Sequence, residues 1–256
     1  MHEADSGHGR LRYYTLRSTD PVRARAFYSE LFTWRLSPRG DARDDVFSIE
    51  KAGAPGTLGW IRPSSPQAAY ADRWIPHVQV RDAAATAALA RKLGGRELPL
   101  EADSAHDLHL VDPTEALLAV RTDDPPPSPL TQRPAPLGSF CWAQLLTHDI
   151  ERARVFYNEV IGWGVSDFPS ADGLPALVFS ADDTPIGGAL QMPVSATAPS
   201  SWLPYVAVAR VRESLARAVT LGATTQRDTT EMPGMGRFAV LADPLGAQLA
   251  LWEEAG

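Results

Sequence analysis

Histidine is the side chain best suited to acid–base chemistry near neutral pH, because its ordinary pKa is about 6.5. The chain has six histidines, and His77 is the first candidate because it lies inside an apolar, strand-like run. A buried structural histidine is the alternative interpretation of that position. His109 lies near the end of another strand pattern, and His148 precedes a helix-capping aspartate, which predicts an exposed side chain. The other three lie in a polar tail or a loop: His2, His8 and His106.

The single cysteine, Cys141, excludes an internal disulfide framework and is typical of a reducing compartment, so we predict a cytoplasmic protein. Its place in an apolar strand pattern predicts a small buried hydrophobe rather than a nucleophile. The net charge of −7 argues against binding to nucleic acid. No apolar run is long enough to cross a membrane, and the polar start of the chain lacks the apolar core of a secretory signal. We therefore expect neither nucleic acid nor membrane as a partner.

The elements that must position these residues occur twice. The pattern of residues from Thr19 to Trp34 is repeated from His148 to Trp163, at a constant offset of 129 residues. A constant offset over such a length indicates a duplication. In each copy an aspartate that can cap a helix precedes a helical pattern with a Phe-Tyr pair, which predicts helices over 21–32 and 150–161. We interpret both Phe-Tyr pairs as helix-to-sheet packing.

Later landmarks repeat as well. Two Trp-x-Pro motifs match at an offset of 128, and the Asp-Pro pairs that begin at Asp112 and Asp243 match at an offset of 131. Each half therefore reads as two βαβββ modules, which predicts an α+β fold with domains over 11–122 and 139–254. Residues 1–10 are predicted to be a disordered tail, and residues 123–138, with six prolines, a semi-rigid linker. Four tryptophans recur at matched positions, which favours structural packing: Trp34, Trp74, Trp163 and Trp202.

This combination of four modules, two Asp-x-x-x-Ala-x-x-Phe-Tyr helices and a final Asp-Pro-x-Gly turn before a strand resembles the vicinal oxygen chelate superfamily. That superfamily includes glyoxalase I, extradiol dioxygenases and bleomycin resistance proteins. The pattern is most similar to the tandem glyoxalase-like proteins that are often labelled hydroxylases. The resemblance implies two tandem domains, each an open half-barrel around a cavity. It leaves the function open, because one scaffold hosts many chemistries.

The resemblance also implies where a metal ion would be held. Carried over position by position, the ligand points fall on Tyr13, Ile75 and Ala119 in the first half and on Trp142, Leu203 and Ala250 in the second. Iron(II) oxygenases and related lyases need imidazole and carboxylate donors. These side chains offer one phenol oxygen among them, so we predict no metal site and no cofactor.

The same resemblance implies which residues line the two cavities. In the first cavity they are Tyr13, Thr15 and His77, and in the second they are Trp142, Gln144, Leu203, Tyr205, Gln248, Ala250 and Trp252. Aromatic rings with a few hydrogen-bonding groups are typical of a pocket for an organic ligand. Large side chains that plug a disused cavity are the alternative interpretation.

We therefore predict a metal-independent protein that binds a bulky, partly aromatic small molecule, for resistance, for sequestration or as a helper in a biosynthetic pathway. One alternative is a cofactor-free isomerase, cyclase or lyase in which His77 and Tyr13 transfer protons. Another is a metal-dependent lyase or dioxygenase with relocated ligands, for which His77, His109 and a carboxylate are the candidates. Both a monomer and a homodimer are compatible with the sequence.

Overall fold

A computed structural model describes residues 7–40, 45–51, 56–100, 107–122, 134–169 and 173–255. Within these ranges the chain forms four βαβββ modules, and the predicted α+β class is confirmed. No helix in the described part of the chain is long and apolar enough to cross a membrane.

The first half consists of two modules. The first contains β1 (Leu11–Ser18), α1 (Pro21–Leu31), β2 (Trp34–Arg39), β3 (Val46–Lys51) and β4 (Thr57–Pro63). The second contains β5 (Arg73–Gln79), α2 (Ala83–Lys92), β6 (Arg96–Glu97), β7 (Asp107–Val111) and β8 (Leu117–Arg121).

The second half repeats this order. Its first module contains β9 (Phe140–Thr147), α3 (Ile150–Ile161), β10 (Gly164–Phe168), β11 (Ala176–Ala181) and β12 (Thr184–Gln191). Its second contains β13 (Ser201–Ala207), α4 (Val211–Thr220), β14 (Thr224–Met232), β15 (Gly236–Ala242) and β16 (Gln248–Glu254).

The strands of each half form one eight-stranded mixed sheet. The strand orders are β2-β3-β4-β1-β5-β8-β7-β6 and β10-β11-β12-β9-β13-β16-β15-β14. In every module the first strand pairs in parallel with the last, and the strands after the helix form antiparallel hairpins. Both sheets are open, because β2 and β6 end one of them and β10 and β14 end the other.

Helices α1 and α3 begin where the sequence predicts capping aspartates. The Asp20 and Asp149 carboxylates accept hydrogen bonds from the backbone N–H groups of Arg23 and Arg152, at 2.9 and 3.0 Å. These bonds satisfy donors of the first turn that have no partner inside the helix. Both helices begin one residue after the cap and end within one residue of the predicted bounds.

Contacts divide the chain into two compact units, each of which contains modules from both halves. The first compact unit comprises Met1–Arg12, Pro76–Pro125 and Ala143–Trp202, and the second comprises Tyr13–Ile75, Pro126–Trp142 and Leu203–Gly256. Helices α2 and α3 pack together in the first unit, and α1 and α4 pack together in the second. Each sheet contains the strands of one half. The compact units instead group the second module with the third and the first module with the fourth. The sequential domain boundaries, 11–122 and 139–254, stay predictions.

A buried hydrogen-bond chain lies in the second compact unit. The Tyr28 hydroxyl donates to Asp243 Oδ2 at 2.9 Å and accepts from Trp74 Nε1 at 3.2 Å. The other carboxylate oxygen of Asp243 accepts from the backbone N–H groups of Leu245 and Ala247, both at 2.9 Å. The carboxylate is therefore fully engaged, as a buried charge must be. It joins the helix of the first module to the Asp-Pro turn of the last.

The first compact unit contains the equivalent chain. Trp202 Nε1 donates to the Tyr157 hydroxyl at 3.2 Å, and that hydroxyl donates to Asp112 Oδ2 at 2.8 Å. Burial raises the pKa of Asp112 and of Asp243 above the ordinary value of 3.8, although their hydrogen bonds act in the opposite direction. Both Phe-Tyr pairs are buried, so their predicted packing role is confirmed. The four matched tryptophans are buried as well, as predicted: Trp34, Trp74, Trp163 and Trp202.

The predicted disordered tail is wrong for its described part, residues 7–10. The backbone N–H of Gly9 donates to Gln79 O at 2.7 Å, and the Gly9 carbonyl accepts from Trp163 Nε1 at 2.6 Å. His8 Nδ1 accepts from the backbone N–H of Arg81 at 3.2 Å. Backbone and indole hydrogen bonds thus hold this segment in place. Three predicted features lie outside the described residues: His2, His106 and residues 123–133 of the linker.

Candidate functional site

In the first half, strands β5, β7 and β8 place polar side chains on one face of the sheet. The register pairs His77 with Ala119, His109 with Ala119, and Asp107 with Arg121. Residues two apart on a strand point to the same side, and directly paired residues share a face. His77, His109, Asp107 and Arg121 therefore lie on a common face, and we call these four residues the polar cluster.

The polar cluster is buried and ion-paired. His77 Nδ1 lies 3.5 Å from Asp107 Oδ1, and Arg121 Nη1 lies 3.4 Å from the same oxygen. The His77 and His109 side chains are 1% and 4% exposed, with ring centroids 6.1 Å apart. A buried carboxylate is tolerated when a cation stands beside it. The structure thus brings together the two histidines that the sequence suggested as relocated ligands and places the Asp107 carboxylate beside His77.

A cavity of about 400 Å³ lies beside the polar cluster. Two of its walls come from Asp107 and His109. The remainder of the lining is largely apolar: Glu97, Leu98, Pro99, Leu100 and Leu108. Asp107 and His109 of the polar cluster therefore line this cavity, whereas His77 and Arg121 do not.

Tyr13 and Thr15, which were grouped with His77 from the sequence, lie on β1. Their side chains are buried, at 7% and 2% exposure. They belong to the second compact unit, whereas His77 belongs to the first. Joint acid–base chemistry by Tyr13 and His77 stays a prediction.

In the second half, the equivalent strands place aromatic rings on one face of the sheet. The register pairs Phe238 with Trp252 and Tyr205 with Ala250. The ring centroids of Tyr205 and Phe238 are 6.1 Å apart. Leu203, two residues before Tyr205, points to the same side. We call the three rings, together with Leu203 and Ala250 as their floor, the aromatic face.

The aromatic face is partly open to solvent. All three rings are half-buried, whereas the two floor residues are buried. The opposite side of the same strands is closed, because Leu249 and Leu251 are fully buried and α4 packs against β15 and β16. One side of these strands is therefore core, and the other side presents apolar rings at the surface.

Strand β9 shows the same alternation. Trp142 and Gln144 are half-buried, whereas Cys141 is buried and donates its thiol hydrogen to Tyr205 O at 3.5 Å. The predicted buried, structural cysteine is confirmed. Trp142 lies in the same compact unit as the aromatic face, Gln144 lies in the other, and Gln248 is exposed at the start of β16.

Sequence reasoning missed three residues of this region: Phe238, Arg227 and Thr230. The Arg227 guanidinium carbon stands 5.2 Å from the Phe238 ring centroid, and Arg227 Nε donates to Thr230 Oγ1 at 3.2 Å. Phe238 matches Asp107 at the repeat offset of 131, so the repeat itself could have located it. Neither Arg227 nor Thr230 carried such a signal, because β14 contains register shifts near both of them.

Burial raises the pKa of Tyr205 well above its ordinary value, and the nearby charge of Arg227 opposes that shift only in part. The hydroxyl therefore stays protonated at neutral pH. A neutral phenol can donate a hydrogen bond to a ligand oxygen. The aromatic face thus combines ring surface with one donor and one cation.

The family assignment follows from the sequence model of the family described as "Glyoxalase-like domain", which matches residues 13–120 and 140–252. The chain belongs to this family. One match falls in each half, so the tandem arrangement of the vicinal oxygen chelate superfamily is confirmed. The glyoxalase-like fold therefore accounts for both sheets.

Several named sequences are similar to this glyoxalase-like chain. "Putative glyoxylase CFP32" of Mycobacterium tuberculosis (strain CDC 1551 / Oshkosh) is 27% identical over 260 residues, covering 96% of this chain and 95% of that protein. "Anthracycline biosynthesis protein DauV" of Streptomyces sp. (strain C5) is 26% identical over 261 residues, covering 96% and 93%. "Anthracycline biosynthesis protein DnrV" of Streptomyces peucetius is 32% identical over 116 residues, covering 45% and 42%.

Solved structures share the fold. The 2,3-dioxygenase LapB from Pseudomonas sp. KL28 matches with a TM-score of 0.64 at 13% identity, over 99% of this chain and 94% of that chain. The Mn(II)-bound glyoxalase from Novosphingobium aromaticivorans matches with a TM-score of 0.62 at 16% identity, over 98% and 84%. At such identities the likeness concerns the fold alone.

The metal ion that the family implies does not fit the side chains at the implied ligand positions. Those positions hold Tyr13, Ile75, Ala119, Trp142, Leu203 and Ala250. Alkyl and indole groups offer no lone pair to a divalent ion, and one phenol cannot supply a facial set of nitrogen and carboxylate donors. In the described ranges, no group of three or more His, Cys, Asp or Glu side chains is arranged to hold a metal ion.

Proposed function

We propose that this glyoxalase-like protein binds a bulky, partly aromatic small molecule on the aromatic face, without a metal ion. The observation that carries the proposal is the half-open arrangement of Tyr205, Phe238 and Trp252 over a small floor. A flat molecule laid over these rings would remove apolar area from water on both partners, which is favourable. The donor-poor side chains at the implied metal positions support a ligand held by shape and stacking.

The relatives support one role among the three that the sequence left open. DauV and DnrV are named for anthracycline biosynthesis, and anthracyclines are built on fused aromatic rings. A protein of this kind that holds a polycyclic intermediate would shield it from water and present it to the next reaction. We therefore favour a helper in a biosynthetic pathway over resistance or sequestration.

The proposal is tested by equilibrium dialysis against a neutral hydroxymethyl-anthraquinone. The wild-type protein should bind this probe saturably, and Trp252→Ala should weaken binding about tenfold, because one stacked ring contributes up to about 1.5 kcal/mol. The matched control is Trp60→Ala. Trp60 is half-buried like Trp252 but lies on β4 in the first half, where Arg62 stands over its ring.

An unchanged affinity in Trp252→Ala, or an equal loss in Trp60→Ala, would remove the aromatic face from the proposal. Failure of the wild-type protein to bind any planar polycyclic probe would contradict the binding function as a whole. Thermal unfolding of each variant separates a lost contact from a lost fold.

The contact between His77 and Asp107 favours a second candidate, a cofactor-free isomerase, cyclase or lyase. His77 Nδ1 lies 3.5 Å from Asp107 Oδ1, so this carboxylate can orient the imidazole for proton transfer. In that case His77→Ala should lower turnover by about 10²–10⁴-fold, as loss of a general acid–base does, and Tyr13→Phe should lower it as well. A rate that is unchanged in both variants would exclude this assignment.

A metal-dependent lyase or dioxygenase with relocated ligands is the third candidate, although the described His, Cys, Asp and Glu side chains form no group of three arranged to hold a metal ion. Arg121 lies 3.4 Å from the Asp107 carboxylate that a metal ion would need, so the two cations would compete for it. Elemental analysis of protein purified without chelator tests this candidate. Stoichiometric iron, manganese, nickel or zinc would favour it over the other two.

A further inference from the structure

We propose that residues 7–10 form a strap that is held in place by the neutral form of His8, and that protonation of His8 in mildly acidic solution releases it. This inference goes beyond the proposed function, because the strap belongs to the first compact unit and the aromatic face belongs to the second.

The strap lies along the end of β5 in the second module. The backbone N–H of Gly9 donates to Gln79 O at 2.7 Å, and the backbone N–H of Gln79 donates to Arg10 O at 3.0 Å. Gly7 and Gly9 have φ angles of +62° and +77°, and a Cβ at Gly7 would collide with the Gln79 side chain. Glycine adopts such angles without the strain that other residues incur. The two glycines therefore let the strap lie close against β5.

The strap also contacts the third module. Trp163 Nε1, just after α3, donates to the Gly9 carbonyl at 2.6 Å. Arg10 Nη2 lies 3.4 Å from Asp182 Oδ2, in the turn between β11 and β12. Residues 7–10 thus bridge the two modules of the first compact unit, in addition to the packing of α2 on α3.

His8 lies within this bridge, and both of its ring nitrogens are engaged. Nδ1 accepts from the backbone N–H of Arg81 at 3.2 Å. Nε2 lies beside Gly162, and the ring donates to the carbonyl of Ile161, the last residue of α3. The carbonyls of a last helical turn have no partner inside the helix, so this bond satisfies one of them. The two contacts together require the neutral ring with its hydrogen on Nε2, because Nδ1 must keep a lone pair to accept.

Protonation removes one of these two contacts. An imidazolium ring has an N–H donor at both nitrogens, so Nδ1 could no longer accept the Arg81 N–H. Loss of that bond leaves two donors facing each other in a partly buried place, which is unfavourable. The strap would then be held only by the bonds of Gly9 and Arg10, and we expect it to open more often.

The surroundings of the ring favour its neutral form. Burial and the charge of Arg81 lower the pKa of His8 below 6.5, and the Ile161 carbonyl and Asp182 oppose that shift only in part. Asp182 also pairs with Arg10. Because the pKa is lower in the folded protein than in the unfolded chain, the contribution of His8 to stability is fully present above pH 6.5. It is lost as the pH falls through the lower, folded value.

The experiment measures hydrogen exchange of single backbone amides in the full-length protein by NMR, with rates corrected for the intrinsic effect of pH. We expect protection of the Gly9 amide to fall about tenfold between a neutral and a mildly acidic sample, as loss of one hydrogen bond predicts. His8→Asn does not titrate, and its amide oxygen can replace Nδ1 as the acceptor, so protection should be the same in both samples. In His8→Ala, protection should be low in both.

The matched control is His148→Asn, which removes an exposed histidine of the same compact unit and should leave the response of Gly9 unchanged. Equal protection of the wild-type protein in the two samples would overturn this inference, and so would a pH response that persists in His8→Asn. Wild-type protection in His8→Ala would overturn it as well. None of these measurements involves a ligand, so failure of this inference leaves the proposed function intact.

Discussion

The residues His77, Asp107 and Arg121 of the first half occupy the positions that Tyr205, Phe238 and Trp252 occupy in the second, at repeat offsets of 128 and 131. The strand pairings around the two sets are the same. In the first half, however, these positions hold a buried, ion-paired cluster, and in the second they hold half-open rings. One backbone framework thus supports a closed polar arrangement and an open apolar one.

The two halves show that the same arrangement of strands is compatible with a buried face and with a face that is partly open to solvent. In the polar cluster, each charge requires a partner close by, and the side chains of His77 and Arg121 are buried beside the Asp107 carboxylate. In the aromatic face, the rings need no such partners and stay half-buried above Leu203 and Ala250.

The largest effect is expected from removal of the Asp107 carboxylate, which lies beside both His77 and Arg121. Asp107→Ala leaves a buried guanidinium beside an imidazole, and loss of one partner of a buried pair costs about 3–5 kcal/mol in the free energy of unfolding. The matched variant at the equivalent position is Phe238→Ala, for which we expect about 1–2 kcal/mol because that ring is only half-buried. Urea denaturation measures both. Equal losses would mean that the two faces are structural to the same degree.

The two Tyr–Asp chains sharpen the comparison, because there the halves are alike. Tyr28→Phe and Tyr157→Phe each remove a hydroxyl that donates to a buried carboxylate. We expect each to lower the free energy of unfolding by about 1.5–3 kcal/mol. The control is Tyr14→Phe. It removes a hydroxyl that donates to the neutral Trp142 carbonyl at 3.3 Å, so we expect a loss of about 1 kcal/mol in the free energy of unfolding. A clear difference between the losses in the two variants would show that the two Tyr–Asp hydrogen bonds do not stabilise their compact units equally.

Acid titration gives the smallest effect. Burial raises the folded-state pKa of Asp112 and Asp243 above 3.8, so the folded protein holds these protons more tightly than the unfolded chain does. That contribution to stability is fully present below pH 3.8 and is lost as the pH rises through the raised values. It amounts to about 1.4 kcal/mol for each unit of pKa difference.

The variant Asp112→Asn, whose amide does not titrate, should lose part of this pH dependence, and adding Asp243→Asn should remove the rest. Urea denaturation between pH 3 and about 7 measures the slope in each protein. A slope that is unchanged in the double variant would assign the pH dependence to other carboxyl groups.

The sequence predicts the modules of this fold well, because their signals are local. Asp20 and Asp149 cap helices within one turn, and the repeat offset carries each feature of the first half into the second. The sequence did not predict that residues 7–10 of the tail are held in place. Gly9 is held by residues far away in the sequence, Gln79 and Trp163, and no local pattern announces such contacts.

The candidate site was predictable in part. The ligand positions implied by the resemblance, Leu203 and Ala250, together with the alternation along β13 and β16 place Tyr205 and Trp252 on one face. Arg227 required the register of β14 against β15, which is interrupted by shifts. Asp107 and Arg121 would pass for solvent-facing residues in the sequence, since only their mutual proximity permits burial.

The bond between Tyr28 and Asp243 joins residues 215 positions apart, whereas Tyr157 and Asp112 are separated by only 45. During synthesis on the ribosome, the nearer pair emerges first, so the core that contains it can close while the end of the chain is still being translated. The helix that carries Tyr28 must wait for almost the whole polypeptide, because contacts distant in sequence form late. Newly made protein should therefore depend on chaperones most during that interval, when the first module has left the ribosome but the last module, which contains Asp243, has not.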